Sequence, residues 1–494
     1  MTLFDIILSN SCVADWDEGE IMKRIMCFFL ICCLCLNVAG CRDHDDNAEG
    51  ADVPEQMSEA EKEKEAFKKA EKYVKGMTLE EKLGQMFLVD ADGLVKGDKP
   101  VTAISPELLG TIEKYKLGGV VFGRQNIETS DQIRILIEEI RQKIRTSADM
   151  NIPLYIGTEE EGGGQNSIAA ATDSITSTGY VSPAEMGQNM TEVQLENTGE
   201  VIGEELSGLG FNLNLAPTAD ITQQEQPVDE RAVSHSAVSA VGQKPVPDDM
   251  SGKKLSEKKR RRKWRAYQKK LKAYNEAYDA FLRTYTEENY QESCFSEDGD
   301  RAGEAAAALV KGMHTAGDRG ICTVMKTFPG ICSVARYHKL VNTEIETGLS
   351  RFRRENLVPF SAGIDAGTDM IMVGHVTVAK VDKQAPASLS RTIMTDMLRD
   401  EMGFEGILVT EQMDVPVITN EYSTEEAVIR AVQAGADMIY NPENLKEAVL
   451  ALKQAVASGQ IKEDVIDQAV LRILKNKLMR GICEVSAVEG TAVP

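Results

Sequence analysis

The stretch Gly403-Phe-Glu-Gly-Ile-Leu-Val-Thr-Glu411 holds most of one folding unit. Just before it, Thr395–Met402 carries an amphipathic helical pattern, and Gly403 follows as a helix stop. Ile407–Thr410 is then a short continuous run rather than an alternating one, the pattern of a strand buried on both faces. Glu411 stands directly at the C-terminal end of that run. Helix, stop, buried strand and polar strand end together describe a parallel α/β unit.

The same unit recurs along the chain. Further strands are expected at Gln85–Val89, Gly119–Phe122, Leu154–Thr158, Leu213–Ala216, Cys322–Lys326, Met370–His375 and Met438–Tyr440. Amphipathic segments lie between them, among them Ser130–Arg145, Glu185–Leu209, Arg301–Ala316 and Thr424–Ala434. Eight strand–helix repeats predict a (β/α)8 TIM-like barrel, with a doubly wound sheet as the alternative. In a barrel the chemistry sits at the C-terminal strand ends, which here carry Glu159, Asp220, Lys326, His375, Glu411 and Asn441.

The N-terminal region follows a different plan. Met22-Lys23-Arg24 is a basic start, Ile25 to Leu36 an apolar core too short for a comfortable membrane span, and Val38-Ala39-Gly40-Cys41 its end. Small residues before a cysteine resemble a bacterial lipobox. That predicts a lipidated Cys41 and an extracytoplasmic protein anchored at the membrane of a bacterial envelope; an uncleaved anchor helix is the other reading. The polar stretch Arg42 to Glu65 reads as a tether. Residues 1–21 fit no signal-peptide plan, and initiation at Met22 is expected. The expected organisation is therefore 1–41 upstream and signal residues, 42–65 tether, 66–483 barrel and 484–494 tail.

One stretch breaks the barrel rhythm. About residues 222–292 hold no strand–helix unit of normal length, and Lys253–Lys272 is densely basic, including Lys258-Lys-Arg-Arg-Arg-Lys263. Trp264, Tyr267, Tyr274, Tyr278, Phe281 and Tyr285 follow. The two readings are contact with an anionic envelope surface and a solvated helix whose aromatics pack on the barrel. The net charge of −23 argues against nucleic acid as a partner. No CxxC, HExxH or metal-spaced Cys/His cluster appears, so no metal or other cofactor is expected, and cysteine spacing gives no support for a disulfide. Gly162-Gly163 lacks the following Lys-Ser/Thr of a nucleotide loop.

Several motifs follow one another in order: Met77-Thr-Leu-Glu-Glu-Lys-Leu-Gly-Gln85, Lys116-Leu-Gly-Gly-Val-Val-Phe-Gly123 and Gly210-Phe-Asn-Leu-Asn-Leu-Ala-Pro-Thr-Ala-Asp220. Lys326 with Phe328-Pro-Gly330, Pro386-Ala-Ser-Leu-Ser390 and Gly403–Thr410 continue the series. Together they resemble glycoside hydrolase family 3 of the β-N-acetylhexosaminidase type. The resemblance implies a TIM-like barrel and a retaining glycosidase, which needs a nucleophile and an acid/base group on opposite sides of the bond. It places the nucleophile at Glu411, where the family has Asp, and the acid/base at His338. It places the substrate-gripping side chains at Glu159, Lys326, Asp220 and His375.

The chain departs from the family at the same site. Arg336 stands where the family has the Asp that orients the catalytic His, and a nearby cation disfavours imidazolium. Glu159-Glu-Glu-Gly-Gly-Gly164 replaces Asp-x-Glu-Gly-Gly-Arg. Thr327 and Ile331 replace two His, and Ser293-Cys-Phe-Ser296 replaces a motif that opens with Arg. Two functions are therefore expected in competition. One is hydrolysis of GlcNAc-containing envelope glycans; the other is a non-catalytic barrel that binds glycan or another cell-wall partner.

Overall fold

The computed structural model describes residues 58–97, 99–147, 152–163, 181–221, parts of 263–273, 293–317, 320–331, 344–345 and 347–483. Ten strands lie among them: β1 Phe87–Asp90, β2 Gly119–Val121, β3 Tyr155–Thr158, β4 Leu213–Asn214, β5 Cys322–Phe328, β6 Glu344–Ile345, β7 Met370–Val373, β8 Thr377–Val378, β9 Ile407–Thr410 and β10 Ile439–Tyr440. Eight of them form one parallel sheet in the order β10-β1-β2-β3-β4-β5-β7-β9. A parallel bridge between Val409 and Met438 joins its two ends and turns the sheet into a barrel. The expected (β/α)8 architecture is thus the observed one. β6 and β8 pair separately beyond the main sheet.

The barrel strands are mostly apolar because inner side chains fill the lumen while outer ones face helices; Asp90, Asn214 and Lys326 are polar exceptions. Phe87, Leu88, Val120, Tyr155, Met325, Ile371 and Val409 are all fully or nearly fully buried. The helix Ser130–Thr146 shows the matching logic on the outside. Ile133, Leu136, Ile137, Ile140 and Ile144 recur at helical spacing and are the buried face, and Thr129 caps its start. Gly210, at φ +97°, ends the helix Glu192–Leu209 in the left-handed conformation that favours glycine.

Three local features differ from the sequence expectation. The helix expected over Glu185–Leu209 is two, Pro183–Asn189 and Glu192–Leu209, because Ser182 with Glu185 and Thr191 with Gln194 each form a capping box. The stretch expected as tether to Glu65 is already helical from Glu59, started by the Ser58–Glu61 capping box, and buries Ala66, Ala70 and Val74. The segment before β9, Thr392–Glu401, is wound as a π-helix rather than an α-helix.

The floor of the barrel, at the N-terminal strand ends, is closed by the C-terminal helix Glu463–Met479 and the residues after it. Asp369, just before β7, accepts from Arg480 Nε at 2.7 Å, Asn476 Nδ2 at 2.7 Å and the Thr323 amide at 3.0 Å. Among the described cysteines Cys322 and Cys483 are free thiols. Cys294 is disulfide-bonded, which spacing alone did not indicate. Cys41, most of Lys253–Lys272 and the 484–494 tail lie outside the described residues. No described helix is long and apolar enough to cross a membrane.

Candidate active site at the barrel mouth

Five of the sequence-predicted residues gather at the C-terminal strand ends. Lys326 lies within β5, which runs on to Phe328, and is 8% exposed. Its ammonium bonds Glu159, and it stands 3.1 Å from Glu161 Oε1. Both carboxylates leave the end of β3; alternate residues of an extended chain share a side. The intervening Glu160 instead accepts from its own loop, from the Gly162 amide at 2.9 Å. Burial works against the Lys326 charge, but Glu159 and Glu161 overcome it and hold the ammonium above the usual lysine range. Glu161 is pushed up by burial and by Glu159, against the pull of Lys326 and a hydrogen bond from Thr218 Oγ1 at 2.5 Å.

Asp220 is buried and faces the turn that follows β5. It accepts from the Thr327 amide at 3.3 Å and the Ile331 amide at 3.1 Å, so it shapes the loop that leaves Lys326. His375 is fully buried beyond β7. Its Nε2 lies 2.7 Å from the Gln412 carbonyl and must donate, which leaves Nδ1 to accept from Ser388 Oγ at 2.7 Å. The ring therefore ties the ends of β7 and β9 together.

Glu411 follows β9 and is 5% exposed. Its amide donates to the Val373 carbonyl at 2.9 Å, and its Oε2 accepts from the His375 amide at 3.3 Å. Gly374 is needed there: a Cβ would stand 2.7 Å from Thr327 Cγ2, 3.1 Å from Ile331 Cγ2 and 3.5 Å from Glu411 Oε2. The methyl groups of Thr327 and Ile331 therefore pack against Gly374. His338 lies outside the described residues.

A cavity of about 710 Å³ opens beside this cluster, lined in part by Asp90, Arg124, Gln125, Glu159, Gln412 and Tyr440. Tyr440 donates its hydroxyl to Asp90 Oδ1 at 2.7 Å, and Gln412 Nε2 reaches Asp90 Oδ2 at 3.2 Å. Burial and the Asp90 charge push the Tyr440 phenol well above its ordinary range, so it remains a donor. Sequence reasoning missed Asp90, Glu161, Gln412 and Tyr440. Asp90 was one residue away, since β1 ends at Asp90 rather than at Val89.

The profile described as the glycosyl hydrolase family 3 N terminal domain matches residues 78–246 and 285–476. The chain belongs to that family. The match skips 247–284, within the stretch expected as an insertion. Among curated relatives, "Beta-hexosaminidase A" of Pseudoalteromonas piscicida is 23% identical over 79% of this chain and 58% of that protein. A "Beta-hexosaminidase" of Stenotrophomonas maltophilia is 32% identical over 32% of this chain and 47% of its own length. The chain thus spans only about half the length of these relatives. Among solved structures, a family 3 β-N-acetylglucosaminidase from Paenibacillus sp. has TM-score 0.62 and 24% identity, over 85% of this chain and 64% of that one. A β-N-acetylhexosaminidase from Beutenbergia cavernae has TM-score 0.60 and 22% identity, over 81% and 98%. These two establish a shared fold.

Proposed function

We propose that this family 3 barrel is a β-N-acetylhexosaminidase-type hydrolase that cleaves GlcNAc-containing envelope glycans with retention. The observation that carries the reading is Glu411, a buried carboxylate at the end of β9 with Gly374 beside it. In this mechanism Glu411 bonds the anomeric carbon while His338 gives its proton to the departing glycosidic oxygen. Water then attacks the glycosyl-enzyme, passes a proton to His338 and frees Glu411. Glu159 and Lys326 hold sugar hydroxyls. Hexosaminidase names among the relatives support the substrate class. A lipidated Cys41 would keep the barrel at the membrane of the envelope, and Lys253–Lys272 would face its anionic surface.

The second reading, glycan binding without turnover, is favoured by the Thr327 and Ile331 methyls packed beside Gly374 and by Arg336 in place of the orienting Asp. The test is hydrolysis of an aryl β-GlcNAc by the full chain and by Glu411→Gln, with calorimetric binding of GlcNAc alongside. Turnover that Glu411→Gln abolishes supports hydrolysis. Binding with no wild-type turnover supports the second reading, and neither binding nor turnover overturns both.

A further inference from the structure

We propose that Ser388 is a positioning residue for Glu411: through the ring of His375, its hydroxyl fixes the backbone amide that holds Glu411 Oε2. The inference rests on the hydrolase reading above for the role of Glu411, and it extends that reading to the turn behind the carboxylate. No residue of Pro386-Ala-Ser-Leu-Ser390 lines the cavity at the barrel mouth, yet Ser388 in its middle is fully buried. A buried hydroxyl is retained where it bonds something, and here its partner is one residue of the chain that meets Glu411.

The short 3-10 turn Ala387–Leu389 grips the chain that leaves β7. The Ala387 amide donates to the Val376 carbonyl at 2.8 Å, and the Ser388 amide to the Gly374 carbonyl at 3.0 Å. His375 lies between these two anchors, and its ring is held at both nitrogens. The Gln412 carbonyl, 2.7 Å from Nε2, can only accept, so Nε2 carries the proton of a neutral ring. Ser388 Oγ, 2.7 Å from Nδ1, then donates to it. The turn fixes the ring from one side and the chain after β9 fixes it from the other. Between them the His375 amide is set 3.3 Å from Glu411 Oε2. Without the hydroxyl, Nδ1 would lose its donor inside the protein, and a ring that flipped to escape this would give up the Gln412 carbonyl. Either change loosens residue 375, and with it the amide that fixes the end of Glu411. Rate is sensitive to such a change, since a displacement of about 1 Å at a reacting group costs on the order of a hundredfold.

The test is nuclear magnetic resonance on the full chain labelled with nitrogen-15 histidine, where only 5 histidines give signals and His375→Gln identifies those of His375. In the parent the His375 ring should carry its proton on Nε2, with Nδ1 unprotonated. Its amide should exchange slowly with solvent, and Glu411→Ala, which removes the acceptor, should speed that exchange. Ser388→Ala should speed it by about tenfold or more, whereas Leu389→Ala, which loosens the same turn and keeps the hydroxyl, should change it by less than about twofold. On an aryl β-GlcNAc, Ser388→Ala should lower kcat about tenfold and leave KM within about twofold. A proton on Nδ1 in the parent, amide exchange or kcat that Ser388→Ala leaves unchanged, or equal acceleration by Leu389→Ala would each overturn the assignment. The first of these needs no variant, so it decides even where Ser388→Ala does not fold. A parent with no turnover would overturn the hydrolase reading instead, while the ring and amide measurements still decide the role of Ser388.

Discussion

Lys326 and Glu161 meet at 3.1 Å across the barrel mouth, from β5 and from the loop after β3, with Glu159 as the second carboxylate on the same ammonium. Three charges share a largely closed space, and only Glu159 is substantially exposed, at 47% of its side chain. Replacing Lys326 by Met would leave two carboxylates facing each other. Removing one partner of a buried pair costs about 3–5 kcal/mol, and the exposure of Glu159 places this case near the lower end. Urea denaturation at neutral pH should show Lys326→Met destabilised by about 3 kcal/mol. Glu161 is already held above the usual carboxylate range, so the gap should narrow as pH falls and the carboxyls protonate. An unchanged midpoint at neutral pH would refute this account of the cluster.

Lys477 gives a pH dependence of a different kind. It is fully buried, donates to Gln85 Oε1 at 2.8 Å and the Gly118 carbonyl at 2.9 Å, and lies 4.7 Å from the centre of the Tyr155 ring. Burial pulls its pKa down to about 8 from an ordinary 10.5. The folded state therefore disfavours the proton, and stability should rise as pH climbs from 8 toward 10.5. Cys483, pushed up to about 11 from 9, works the other way above pH 9, so the clear window is 8 to 9. Across it the wild type should gain on the order of 1 kcal/mol relative to Lys477→Met. Parallel stability curves for the two proteins would contradict the assignment.

Asp369 opposes acid in the ordinary carboxylate sense. Burial works against its charge, but Arg480 and His314 overcome it and hold the carboxyl well below the usual range. Its contribution is present above the unfolded pKa of about 4 and is lost as pH falls below that. Asp369→Asn would strand the Arg480 guanidinium on the barrel floor. The expected cost at pH 7 is about 3 kcal/mol or more, with a flatter acid limb than the wild type. Acid titration of the near-ultraviolet circular dichroism of both proteins measures it, and coincident acid limbs would count against the network.

The barrel was legible because strands buried on both faces must be continuous apolar runs, as at Ile407–Thr410 and Met370–Val373. The site was only partly legible. Glu159 and Lys326 were named as separate grips, while their ion pair and the share of Glu161 in it depend on how β3 and β5 face each other. The spacing of 159 and 161 did contain a signal, since two carboxylates at i and i+2 of an extended chain point the same way. The bonds of His375 were hidden because its partners come from elsewhere in the chain, Ser388 from the short 3-10 turn Ala387–Leu389 and the Gln412 carbonyl from the end of β9. Asp90 escaped notice because the boundary of β1 fell one residue short.

The reach of Glu411 carries the last prediction. Its amide is pinned to the Val373 carbonyl at 2.9 Å, which fixes where the side chain begins, and its Oε2 meets the His375 amide at 3.3 Å, which fixes where it ends. An aspartate at this place would begin at the same point and stop a methylene short. The hydrogen bond from the His375 amide would be lost, and the carboxylate would withdraw from the anomeric carbon by about 1 Å, a displacement that costs on the order of a hundredfold in rate. Glu411→Asp should therefore lower kcat on an aryl β-GlcNAc by about a hundredfold with little change in KM, although it restores the residue type the family places there. Increased turnover in that variant would mean that the mouth still fits the shorter arm, and that the glutamate, rather than the surrounding pocket, limits this barrel.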